Sequence, residues 1–120
     1  MSYDENNVFA KILRGEIPCN KVFETTHTLA FYDIAPQRKI HIMVIPKGAY
    51  TDMADFNLKA SDDELTDFYR TLQKIAAQEN MIEAGFRAIA NTGAFGGQEV
   101  PHFHMHLLGG EPVGKLLEDR

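Results

Sequence analysis

The chain reads as an α+β protein, with a five-stranded antiparallel sheet, one short helix ahead of it and one long helix within it. Three observations predict this. Strand-like apolar segments fall into two groups, one before and one after a long stretch with helical spacing. The connections inside each group are polar or glycine-rich, as antiparallel hairpins require. A single amphipathic segment stands ahead of the first strand.

That first segment has Asn7 as a plausible N-cap, a one-sided stripe of Val8, Phe9, Ile12 and Leu13, and Gly15 to end it. Segments 21–24 and 28–33 flank the polar connection Thr25-Thr26-His27 and should pair as a hairpin, with His27 decorating the turn. Segment 40–46 is apolar at successive positions, which predicts a strand covered on both faces. Segment 47–60 reads as irregular, with at most a short helical turn. Ser61-Asp62-Asp63-Glu64 has the spacing of a capping box. Leu65, Phe68, Tyr69, Leu72, Ile75 and Ala76 then recur at helical intervals, with Gly85 as the expected stop. Segment 86–91 leads into a glycine-rich loop and a last strand, closing a second hairpin. With the helices on one face, the other sheet face and one edge would need cover.

At 120 residues the chain has room for one domain with one core, read as 1–120 with the core at about 7–110 and a short tail at 111–120. A net charge of −5 argues against a nucleic-acid binder, so any attraction for phosphate must be local. No apolar run approaches a membrane span, and no leader with a cleavage-like site is expected. Cys19 is the single cysteine, which rules out an intrachain disulfide and suits a reducing, cytoplasmic compartment.

The chemistry concentrates in Pro101-His102-Phe103-His104-Met105-His106-Leu107-Leu108-Gly109-Gly110. Alternate residues of a strand share a face, so three imidazoles should line one side, with Phe103, Met105 and Leu107 on the other. Alternate positions lie roughly 6.8 Å apart, so the outer pair would be separated by about 13 Å. Two neighbouring rings could share a metal, and a zinc site would then take a further ligand such as His41. A histidine-rich polar face without chemistry is the plain alternative.

Just upstream, Asn91-Thr92-Gly93-Ala94-Phe95-Gly96-Gly97-Gln98-Glu99-Val100 places three glycines within five positions. Such a loop can approach a ligand closely and aim backbone N–H groups at an anion, though alone it would be an ordinary turn. Joined to the histidines it describes a phosphate pocket. A neutral imidazole is a good nucleophile near neutral pH, and a second can pass a proton to a leaving group.

The histidine run resembles the alternating His-apolar signature of the histidine triad (HIT) superfamily of nucleotide hydrolases and transferases. Its ending, His106-Leu107-Leu108-Gly109-Gly110, is similar to the Hint branch. Phe9-Ala10-Lys11-Ile12-Leu13-Arg14-Gly15-Glu16-Ile17-Pro18, Phe31-Tyr32-Asp33-Ile34-Ala35-Pro36 and His41-Ile42-Met43-Val44-Ile45-Pro46-Lys47 resemble further segments of that branch in order and spacing. The resemblance implies a HIT-like fold that pairs into a ten-stranded sheet in a homodimer, with Tyr69, the long helix and segment 86–91 as candidates for the contact.

It also implies roles. His104 would attack the α-phosphate of a purine nucleotide, giving a nucleotidyl-histidine, and His106 would contact the phosphate or leaving group. His102 and His41 would hydrogen-bond within the cluster. Asp33 would accept from the ribose hydroxyls. Phe9, Ile12, Ile17, Phe31, Ile34 and Met43 would wall the base, while Asn91, Gly97, Gln98 and the Val100 backbone would hold phosphate oxygens. A third histidine, His106, in place of the transferases' glutamine favours hydrolysis. The implied activity is cleavage of the P–N bond of purine nucleoside 5′-phosphoramidates or related adenylates, without a cofactor or metal. A dinucleoside polyphosphate hydrolase, a nucleotide-binding interaction protein and a zinc protein using His102 or His104 with His41 are the alternatives. Glu99 stands where eukaryotic Hint proteins carry serine, and the tail lacks their aromatic C-terminus. Both bear on which leaving group is accepted.

Overall fold

The computed structural model describes residues 2–117, so Met1 and the tail residues Glu118, Asp119 and Arg120 lie outside it. The elements run α1 (Val8–Leu13), β1 (Lys21–Glu24), β2 (Thr28–Tyr32), β3 (Ile40–Pro46), α2 (Met53–Lys59), α3 (Asp62–Gln78), β4 (Arg87–Ile89) and β5 (Met105–Gly109). The five strands form one antiparallel sheet in the order β1-β2-β3-β5-β4. Strands β3 and β5 meet near its centre, with His41 opposite Leu108 and Met43 opposite His106.

The alternation of side chains along these strands splits the core in two. Ala30, Ile42, Val44, Met105 and Leu107 face Phe56 of α2 and Phe68, Ile75 and Ala76 of α3. Leu29, Phe31, Met43 and Ile45 point the other way and pack with Phe9, Ile12 and Leu13 of α1. The helices therefore do not share one face, as the sequence reading had it. The apolar stripe of α1 says that it must pack, but not on which side.

Local chemistry fixes the helix ends. The Asn7 side chain accepts from the Ala10 N–H at 2.9 Å, and Gly15 leaves α1 with φ +80°. Ser61 and Glu64 form the expected capping box on α3. Gly85 does not end that helix. Asn80 takes the left-handed conformation at φ 58°, while the Met81 N–H reaches back to the Ala76 carbonyl and the Asn80 N–H to that of Ala77. This pair of bonds satisfies the helix end two turns before Gly85, with Met81 buried beneath it. Segment 47–60 holds more order than expected, since Asp52 caps the two-turn helix α2 by accepting from the Asp55 N–H. That helix delivers Phe56 to the core.

The last strand is shorter than the histidine run. Pro46 has no N–H to offer beyond the Val44–Met105 pair, and its carbonyl bonds the His102 ring. The backbone at His102 and Phe103 turns aside, donating to Val100 and Tyr50 carbonyls. Phe103 nonetheless stays with the main core, stacked on Phe56 at a 4.9 Å centroid distance and tilted against Phe68 at 5.1 Å. Beyond β5, Arg38 and Arg87 hold the tail through the carbonyls of Val113, Gly114 and Lys115.

Phe103→Ala should cost about 3–5 kcal/mol of stability, because it empties a stacked, fully buried site. Urea unfolding followed by circular dichroism will show the loss, and a cost below about 1 kcal/mol would contradict the packing described.

Candidate active site

A cavity of about 430 Å³ opens on the α1 side of the sheet. Phe9, Ile12 and Ile17 wall it from α1 and the turn after it, Phe31 and Met43 from the sheet, and Asp33 and Ile34 from the end of β2. Asn91, Gly97, Glu99 and Val100 close it from the glycine-rich loop, and His104 and His106 stand between the two walls. Val8, Pro18, Cys19, Tyr32 and Gln37 also contribute and were not anticipated. Ile34 is fully exposed, at the rim.

Gln98 does not line the cavity. Its side chain stitches the loop, accepting from the Gly93 N–H at 3.0 Å and donating to the Thr51 and Val100 carbonyls. Those bonds use both N–H groups of the amide, so no donor remains for a phosphate oxygen. Gly96 is needed for a different reason: a Cβ there would stand against the Thr92 carbonyl oxygen and 2.8 Å from its nitrogen.

The histidines form two hydrogen-bonded units. In the first, the buried His104 ring donates from Nδ1 to the His102 carbonyl at 2.7 Å. That proton leaves the Nε2 lone pair free on the edge of the ring away from the carbonyl. Phe9 packs edge-on against this ring at 5.0 Å. The His102 ring does not bond the other imidazoles, contrary to the sequence reading. It lies past the end of the β3–β5 ladder, fully buried, with Nε2 donating to the Pro46 carbonyl at 2.8 Å and Nδ1 accepting from the Tyr3 hydroxyl at 2.6 Å.

In the second unit, the Gln37 backbone N–H donates to His41 Nδ1 at 3.2 Å, so neutral His41 carries its proton on Nε2. His41 Nε2 lies 2.9 Å from His106 Nδ1, and donates there. His106 must then carry its own proton on Nε2. The two rings of the cavity are thus complementary: His104 keeps a lone pair and His106 an N–H. Asp33 Oδ2 lies 3.4 Å from His41 Nε2, close enough to stabilise that ring if it charges.

Burial sets the charge state. It pushes His102 down to about 4, against the opposing pull of the Pro46 carbonyl. It pushes His106 down to about 4 as well, helped by repulsion from His104 and His41. His104 is lowered by burial and held back by its bond to the His102 carbonyl and by Glu99 and Asp33. His41 is lowered by burial against the attraction of Asp33. Burial thus favours the neutral form of all four rings.

Asp33, His41 and His106 bring one ligand atom each within 4.8 Å of the others, and this is the grouping among the described residues that could hold a metal. It is not the set expected from sequence, which joined His102 or His104 to His41. A metal would have to take the nitrogens that the His41–His106 hydrogen bond already uses.

Neutral burial gives a pH prediction. Between 6.5 and about 4 the unfolded chain binds protons at His102 that the folded chain refuses, so stability falls as pH falls through that window. The fully buried His102 alone is worth on the order of 3 kcal/mol across it. Urea midpoints should be level above about pH 7 and drop steadily toward pH 4, whereas a level midpoint throughout would contradict neutral burial.

Residues 14–113 match the family model described as HIT domain. The chain is 50% identical over 116 residues to an uncharacterized 13.2 kDa HIT-like protein of Azospirillum brasilense, covering 97% of this chain and 95% of that one. It is 42% identical over 113 residues to the purine nucleoside phosphoramidase of Escherichia coli, covering 94% of each. Among solved structures, a HIT family hydrolase from Clostridium thermocellum superposes with a TM-score of 0.86 at 36% identity, over 95% of this chain and 99% of that one. With the family model spanning the sheet and both histidine units, the chain belongs to the HIT family.

Proposed function

We propose that this protein hydrolyses the P–N bond of purine nucleoside 5′-phosphoramidates and related adenylates through a covalent nucleotidyl-His104. One observation carries the reading: the His104 Nδ1–H is tied to the His102 carbonyl, which keeps the Nε2 lone pair available on a ring that walls the cavity. The 42% identity to a purine nucleoside phosphoramidase supports it.

The purine lies between Phe9, Ile12, Ile17, Phe31, Ile34 and Met43, and Asp33 accepts from the ribose hydroxyls. Asn91, Gly97 and the Val100 backbone hold the phosphate oxygens. His104 Nε2 attacks phosphorus, forming the N–P bond as the bond to the amine breaks. His106 Nε2–H hydrogen-bonds the departing nitrogen, the amine leaves with a proton taken from water, and the hydroxide so formed displaces the nucleotide from His104, returning that ring to its neutral form. Neither Lys nor Arg is among the described residues of the wall, while Asp33 and Glu99 both are. A polyphosphate chain would meet carboxylates there and no side-chain cation, which favours the phosphoramidate over the dinucleoside polyphosphate. Glu99 should also disfavour an anionic leaving group. Neither metal nor cofactor takes part.

The same reading makes the protein a cytoplasmic homodimer acting without membrane or nucleic-acid partners. The edge strand β4 would extend the sheet to ten strands, with the half-exposed Tyr69 of α3 as a further candidate for the contact.

His104→Ala should abolish AMP release from adenosine 5′-phosphoramidate while leaving AMP affinity within about tenfold, since a nucleophile acts mainly in the transition state. Initial rates in the presence of EDTA and calorimetric AMP titration test this. Turnover in the variant near the wild-type rate would remove His104 as nucleophile, and AMP binding by a wild type without turnover would favour an interaction protein. The acid limb of kcat/KM should lie below 6.5, because burial lowers both His104 and His106. A limb at or above 6.5 would contradict neutral rings in the resting site.

A further inference from the structure

His104 is oriented by a peptide carbonyl, and the geometry shows what holds that peptide. Residue 102 lies outside the ladder of the sheet, which begins at Met105 on this strand. Its backbone is held by the His102 N–H to the Val100 carbonyl and the Phe103 N–H to the Tyr50 carbonyl, and beside them by its ring, which is anchored at both nitrogens. The Pro46 carbonyl can only accept, so His102 Nε2 must carry the ring proton. The neutral ring then presents a buried lone pair at Nδ1, and the Tyr3 hydroxyl is its hydrogen-bond partner. Tyr3 also packs edge-on to the ring at 5.6 Å. Burial raises the Tyr3 phenol above its ordinary value, so the hydroxyl keeps its proton at neutral pH.

Tyr3 precedes the span 14–113 matched by the family model and reaches the site across a sequence separation of 99 residues. It stands four residues before Asn7, the cap of the helix whose Phe9 packs edge-on against both His102 and His104. Removing its hydroxyl would leave a buried imidazole nitrogen unsatisfied, and protonation would only add a buried charge and a donor without an acceptor, so the ring is relieved by turning. That rotation disturbs the peptide on which the His104 tautomer depends.

We propose that Tyr3 is a positioning residue: by donating to His102 Nδ1 it locks the His102 peptide whose carbonyl holds the His104 Nδ1–H, and so aims the nucleophilic Nε2. The consequence for rate rests on the phosphoramidase reading; the consequence for the His104 tautomer does not.

The test compares wild type with Tyr3→Phe, which keeps the ring and removes only the donor, and with Tyr3→Leu, which removes both. Two readouts are taken: kcat and KM for adenosine 5′-phosphoramidate, and the ¹⁵N imidazole spectrum of the ligand-free proteins. Tyr3→Phe should lower kcat about tenfold with KM within about twofold, the pattern of an interaction needed in the transition state. The His104 nitrogen signals should move from a single Nδ1–H tautomer toward a mixture. Tyr3→Leu should show the same losses. A kcat within twofold of wild type for Tyr3→Phe, or unchanged His104 signals, would overturn the proposal. So would a loss confined to Tyr3→Leu, which would assign Tyr3 to packing alone. If the wild type released no AMP, the phosphoramidase reading would fall, and the ¹⁵N spectra would still decide whether Tyr3 positions His104.

Discussion

Slipping β5 by one residue against β3 would exchange everything that matters in this molecule. In the observed register His106 faces Met43 and Leu108 faces His41, so the diagonal neighbours His41 and His106 lie on one sheet face. Their nitrogens meet at 2.9 Å, while Leu107 and Met105 enter the core beneath α2 and α3. A shift of one position would bury imidazoles among phenylalanines and turn the apolar residues toward the cavity. Burial on both faces of β3 penalises such a slip strongly. Fold and site are therefore specified by the same side-chain alternation, since each core depends on the residues the other leaves out.

The cavity gains its chemistry from a division of labour between protons. Two rings of one residue type carry opposite functions because their inner nitrogens meet opposite partners, an acceptor carbonyl for His104 and a donor imidazole for His106. Low solvent exposure favours the neutral form of both, so the distinction survives below the pH at which a free imidazole would charge. No charged residue is needed to create the difference. Asp33 stands closest to the second unit, where it limits the cost of a positive His41.

Much of this was legible in the residues. The period of two in 101–108 separated the histidines from Phe103, Met105 and Leu107, and the structure keeps them separate although the ladder begins only at Met105. The caps at Asn7 and Ser61 were readable because a side chain three residues from its partner writes its own signature. What escaped reading depends on groups without a sequence signature. Asn80, rather than Gly85, ends α3 because tertiary burial of Met81 selects the earlier stop. The Gln37 N–H and the carbonyls of Pro46 and His102 belong to the backbone, so any residue type could have supplied them. Gln98 was read as a ligand for phosphate because its amide suits one, but the loop it closes has the prior claim. Tyr3 lies too far along the chain for any spacing rule to connect it to His102.

The carbonyl that orients His104 also bears on how this site can vary. Every amino acid provides that oxygen, so no substitution at position 102 can delete it; a substitution can only move it. Residue-by-residue mutagenesis would therefore rank position 102 by its effect on packing and miss the acceptor altogether. An ester in place of the peptide bond after His102 would not be silent, because it weakens this oxygen as an acceptor and removes the Phe103 N–H that donates to Tyr50. The group that sets the tautomer of the nucleophile is in this sense shielded from mutation, and drift at the site is channelled into the side chains that hold the peptide still.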